Sequence, residues 1–129
     1  MAVEVPILKQ GPYLVASIQA ALTDADWLKL QDNLLSSVGR FRSLGVIIDL
    51  TSLDVLDSFA TRTLRTLAQS LELRGAKTVI VGIQPEVAVA MVQLGLIVRF
   101  EEITTALDLE EGLALLDGAT GSREARDAG

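Results

Sequence analysis

Leu44-Gly45-Val46-Ile47-Ile48-Asp49-Leu50 is an apolar run in which polar and apolar residues do not alternate. A strand with one wet face alternates; a run of this kind is covered on both faces. Helical crossovers between parallel strands supply that double cover, so the chain reads as a layered α/β domain. Lys77 to Gly82, with Thr-Val-Ile-Val at its centre, is a second buried strand of the same kind.

Amphipathic stretches separate these runs. Trp27, Leu28, Gln31, Leu34, Leu35 and Val38 recur at three- and four-residue spacing behind Thr23-Asp24, which predicts a helix to about Val38 stopped by Gly39. Phe59, Thr63, Leu64, Leu67, Ala68 and Leu71 line the inner face of a second helix closed by Gly75. Its outer face carries Arg62, Arg65, Thr66, Gln69 and Glu72. Pro85 opens a short helix through Gln93. Because Glu86 to Leu94 is apolar almost all round, that helix is either wrapped or offers an association surface. Leu96 to Phe100 reads as a third strand, and Thr104 or Thr105 as the cap of a last helix. Asp108, Glu110 and Glu111 fall early in it, where the dipole favours negative charge. Val3 to Lys9 and Pro12 to Ile18, hinged at Gln10-Gly11-Pro12, predict an initial hairpin at the sheet edge.

The expected order is β-β-α-β-α-β-α-β-α, a single α/β domain with a mixed, mostly parallel sheet packed against amphipathic helices. It occupies residues 1–117, with 118–129 as a flexible tail. A length of 129 residues suits one such domain.

Absences narrow the chemistry. Without Cys there is no disulfide, thiol nucleophile or cysteine zinc site, and without His no Ser-His-Asp triad or HExxH site. The ten glycines form neither GxGxxG nor GxxxxGK[ST], so no nucleotide cofactor is expected. Eleven Lys and Arg against 17 Asp and Glu give a net charge of -6, which repels nucleic acid and anionic membrane surfaces. No apolar stretch approaches the roughly 18–20 residues of a membrane span. The start, Met1-Ala2-Val3-Glu4, lacks a signal-peptide pattern, and a cytoplasmic protein is expected.

The polar loop Thr51 to Ser58 holds the candidate site. Asp49, at the end of a buried strand, stands where a receiver domain carries its phosphorylated Asp. The first strand, however, ends in Leu8-Lys9-Gln10 with no acidic pair, so orienting the loop is the better reading of Asp49. Asp49, Asp54 and Asp57 are a conceivable Mg²⁺ set, but nothing beside them activates a nucleophile, and solvated loop acids are the plainer reading. Asp57-Ser58 starts a helix. Either residue can cap it; alternatively Ser58 is a phosphorylation switch, its added charge tolerated at the helix N-terminus.

Val46-Ile47-Ile48-Asp49-Leu50-Thr51-Ser52-Leu53-Asp54-Val55-Leu56-Asp57-Ser58-Phe59 resembles the signature of STAS domains, the anti-sigma-factor antagonist family, and the likeness runs from Val3 to Leu116. The resemblance implies a non-enzymatic protein whose Ser58 is phosphorylated by a dedicated serine kinase. Single-domain antagonists of the SpoIIAA type usually read Asp-Ser-Ser/Thr-Gly here. Asp57-Ser58-Phe59-Ala60, followed by Arg62, looks more like the RsbS type of stressosome scaffold. That likeness implies co-assembly with RsbR-like sensor paralogues and with copies of itself. It also implies capture of an RsbT-like kinase, its release on Ser58 phosphorylation, and resetting by a PP2C-type phosphatase. Asp54, Asp57, Phe59 and Arg62 are the expected switch-loop and partner-binding residues; Arg62 and Arg65 are candidates for a kinase-facing rim, with solvated helix charges the plainer reading of both. The alternative is a free single-domain antagonist that binds an anti-sigma kinase directly.

Overall fold

A computed structural model describes residues 4–93 and 104–121. Two short strands, β1 (Ile7–Gln10) and β2 (Tyr13–Ser17), form an antiparallel hairpin. From there strands and helices alternate: α1 (Asp24–Phe41), β3 (Gly45–Asp49), α2 (Ser58–Leu73), β4 (Lys77–Val81), α3 (Pro85–Gln93), β5 (Thr104–Ala106) and α4 (Leu109–Thr120). The sheet order is β1-β2-β3-β4-β5, and every pair after the hairpin is parallel. Architecture and element order are those expected.

Sequential order explains the layering. Right-handed crossovers that always step to the next strand place their helices on one face of the sheet. Alternate strand residues point to opposite faces. Leu14, Ala16, Val46, Ile48 and Ile80 accordingly join the buried apolar residues of α1, α2 and α3 in one large core. Trp27, Leu30 and Leu34 come from α1, Leu64, Leu67 and Leu71 from α2, and Val87 and Met91 from α3. Tyr13, Val15, Ile47, Val79 and Val81 face the other way and pack against Leu116 of α4.

α4 lies very close to the sheet because position 112 is glycine. A Cβ there would stand 2.8 Å from Val81 Cγ1 and 3.3 Å from Ile47 Cδ1. At its far end the Tyr13 hydroxyl donates to Asp117 Oδ1 at 2.6 Å and lies 3.1 Å from Thr120 Oγ1.

Some boundaries differ from expectation. α1 passes through Gly39 to Phe41 and ends where Arg42 turns left-handed (φ 50°), its N–H bonded to the Val38 carbonyl. Thr104 and Thr105 are strand residues paired with β4, and Asp108 caps α4 by accepting from Glu111 N. α4 reaches Thr120, three residues past the expected end of the domain at 117, because Thr120 bonds the Leu116 carbonyl and Gly121 supplies the left-handed stop. The strand expected at Leu96 to Phe100 lies outside the described residues. In α3, Val87 and Met91 are buried while Val89 and Val92 are exposed, so the helix is wrapped on one side only. Among the described residues no helix is long and apolar enough to cross a membrane.

Candidate functional site

The switch loop leaves the sheet at Asp49 and is held at several points. Leu50 N donates to the Val81 carbonyl (2.9 Å), extending the β3–β4 ladder by one bond. Asp49 Oδ1 accepts from Thr51 N (2.9 Å) and Thr51 Oγ1 (2.6 Å), a local turn closed by the carboxylate. Gln84 Nε2 donates to the Thr51 carbonyl at 2.7 Å, tying this loop to the one that follows β4. Gly82 makes room for it: φ is +71°, and a Cβ there would overlap Thr51 Oγ1. Leu53 and Leu56 then turn into the core, which leaves Asp54 and Val55 on the outside.

The loop ends at the start of α2, where the cap is assigned to Asp57. Its Oδ1 accepts from Ala60 N at 2.8 Å, and its backbone carbonyl accepts from Thr61 N and Thr61 Oγ1 (3.0 and 2.8 Å). Ser58 is therefore the first helical residue rather than the cap. Its side chain is exposed, and its hydroxyl makes no hydrogen bond among the described residues. Four backbone N–H groups at a helix start point outward with the positive end of the dipole, so an oxyanion on Ser58 is favourably placed.

Beside Ser58, Phe59 is half-buried against the core and Arg62 is exposed one turn on. Phe59, Arg62, Thr63 and Thr66 line one wall of a shallow cavity of about 300 Å³, and Leu28 and Gln31 of α1 line the other. Of the expected site residues, the structure brings Ser58, Phe59 and Arg62 to one surface, with Asp54 on the adjoining loop. Arg65 is half-buried and engaged in an interaction of its own.

Asp49 and Asp57 spend their carboxylates on local backbone, which is the loop-orienting role. Among the described residues no three acidic side chains converge to hold a metal. Leu28, Gln31 and Gln84 were not legible as site residues, because only the packing of α1 on α2 and of one loop on the next brings them in.

Known proteins agree with this geometry. Residues 4–112 match the STAS domain family. RsbS S58E of Moorella thermoacetica superposes with a TM-score of 0.80 at 33% identity, covering 91% of this chain and 97% of that one. A chain from the molecular architecture of the stressosome, a signal integration and transduction hub, superposes with a TM-score of 0.76. It is 34% identical and covers 88% of this chain and 97% of its own. The RsbT co-antagonist protein RsbRA of Bacillus subtilis (strain 168) is 32% identical over 85 residues, 66% of this chain. That stretch is 30% of RsbRA, so the chain spans under a third of that relative. With the fold, the loop and the family match in agreement over most of its length, the chain belongs to the STAS domain family.

Proposed function

We propose that this chain is an RsbS-like stressosome scaffold that works by binding and carries no enzymatic activity. In this reading it co-assembles with RsbR-like STAS paralogues in the cytoplasm and holds an RsbT-like serine kinase. The kinase phosphorylates Ser58 and is thereby released; a PP2C-type phosphatase restores the hydroxyl. The observation that carries the reading is the division of labour at the start of α2. Asp57 does the capping, and the Ser58 hydroxyl is exposed with no structural duty. Likeness to RsbS and to a stressosome chain at 33% and 34% identity supports it.

A phosphate at this position brings about -1.5 to -2 charges to a corner that already carries Asp54 and Asp57. The helix start accommodates that charge, so what changes is the surface met by a partner. Intact-mass and site-mapping spectrometry with an RsbT-like kinase and Mg-ATP tests the switch. One phosphate on Ser58, absent from Ser58→Ala, is expected, and Ser58→Asp should weaken kinase binding without altering the circular dichroism spectrum. Wild-type kinase affinity in Ser58→Asp refutes release by charge. Co-expression with an RsbR-like paralogue should give a particle of very high mass; failure to co-assemble points to the free antagonist.

A further inference from the structure

Ser58 and Arg62 stand four residues apart in α2, and both are exposed. Positions so spaced share one face of a helix, with Cβ atoms about 5–6 Å apart. Helical side chains lean toward the N-terminus, so the turn that starts at Ser58 is within reach of the long arm of Arg62. A negative group at the earlier position and a cation at the later one is also the favourable order of the two, because each then suits the helix dipole.

Nothing else on the surface competes for this guanidinium. Among the described residues, no carboxylate forms an ion pair with Arg62. Glu72, the only acid in α2, is paired with Lys77 at 2.7 Å. Asp57 spends its Oδ1 on Ala60 N, and Asp54 stands on the adjoining loop. Across the shallow cavity α1 presents Leu28 and Gln31, which carry no charge, with Asp24 one turn before Leu28. Arg65, two turns from Ser58, is half-buried and has an interaction of its own. Arg62 is thus a cation without a carboxylate partner, one turn from a hydroxyl without a structural duty.

We propose that Arg62 receives the phosphate of Ser58: in the phosphorylated protein its guanidinium leaves the cavity wall it shares with Phe59 and pairs with the phosphate on its own helix. The inference rests on the proposed phosphorylation of Ser58 and deepens it. Guanidinium and phosphate match in a two-pronged, charge-assisted contact, which the point charge of a lysine reproduces only in part. Phosphorylation then changes this corner twice. It adds about -1.5 to -2 charges, and it withdraws a cation from the rim beside Phe59.

Phosphoserine encoded at position 58 of the full chain lets the contact be measured whether or not a kinase acts. Arg62 favours the doubly charged phosphate, so the second proton should leave at lower pH when the arginine is present. Phosphorus NMR in about 50 mM NaCl should place that titration about 0.3 pH unit below the one in Arg62→Gln, a factor of about two in proton affinity. Arg62→Lys should keep part of the difference, Arg65→Gln should leave it whole, and about 500 mM NaCl should shrink it. The Arg62 Nε–Hε resonance should also move between the unphosphorylated and phosphorylated proteins, which an arginine with a merely structural role would not show. Equal titrations in wild type and Arg62→Gln overturn the pairing, as does an equal effect of Arg65→Gln. Incubation of the unmodified chain with an RsbT-like kinase and Mg-ATP separates this inference from the reading it rests on. Pairing on the encoded phosphoserine with no transfer to Ser58 supports the contact and overturns the switch. Transfer to Ser58 with equal titrations supports the switch and overturns the contact.

Discussion

Gly112→Ala should destabilise the domain although it improves the helix it sits in. Replacing a helical glycine by alanine gains about 1 kcal/mol of helix propensity. Against this, the new Cβ would stand 2.8 Å from Val81 Cγ1 and 3.3 Å from Ile47 Cδ1. Both neighbours are fully buried and β-branched, with little freedom to rotate away, so α4 itself must lift. Overpacking of this kind costs about 1–3 kcal/mol, which leaves a net loss of about 1 kcal/mol at the middle of that range. Gly118, six residues on in the same helix, is an internal control, since a Cβ there meets nothing within 4 Å. Gly118→Ala should stabilise by up to about 1 kcal/mol. At about 4 °C per kcal/mol for a domain of this size, the two variants should melt roughly 8 °C apart in opposite directions from wild type. Thermal denaturation followed by circular dichroism measures this. A Gly112→Ala protein as stable as Gly118→Ala would refute the idea that close approach of α4 to the sheet requires glycine.

Asp57→Ala should cost about 1 kcal/mol by removing the α2 cap, whereas Ser58→Ala should shift the melting temperature by less than about 1 °C; equal losses in the two would contradict the assignment of the cap. Thr78 Oγ1 is a buried hydroxyl with no hydrogen-bond partner among the described residues. Thr78→Val keeps the shape and removes the unpaired group, so it should raise stability by about 1 kcal/mol in urea denaturation, and a loss of that size would mean the hydroxyl has a partner.

How legible each part was depended on how far its cause lay along the chain. β3 and β4 were plain because double burial removes the polar alternation of Val46–Ile48 and Val79–Val81. The start of α2 was nearly so, the remaining choice being which of Asp57 and Ser58 capped it. Gly39 misled because a helix tolerates a glycine that its packing carries through, and Val38 still accepts from beyond it. Near Thr104 the true start of α4 was present as Asp108-Leu109-Glu110-Glu111, with Glu111 N donating to Asp108 and Glu111 Oε1 reaching back to Leu107 N. The two threonines competed for the same role until pairing with Val79 and Ile80 claimed them as strand. The cavity wall that Leu28 and Gln31 supply has no local signal, and neither does the brace from Gln84 to Thr51. Both depend on which elements become neighbours.

The coverage of the sheet also sets an order in time. One face is roofed by helices that follow immediately on their strands, whereas the other waits for α4, whose Asp117 meets Tyr13 from 104 positions away. As the chain emerges from the ribosome, the first face can close piece by piece. Tyr13, Val15, Ile47, Val79 and Val81 remain an open apolar floor until residues 109–120 have been made. Contacts of such long range form slowly and leave nascent chains prone to aggregate. The moment of greatest risk in the life of this domain thus falls between completion of β4 and the landing of α4.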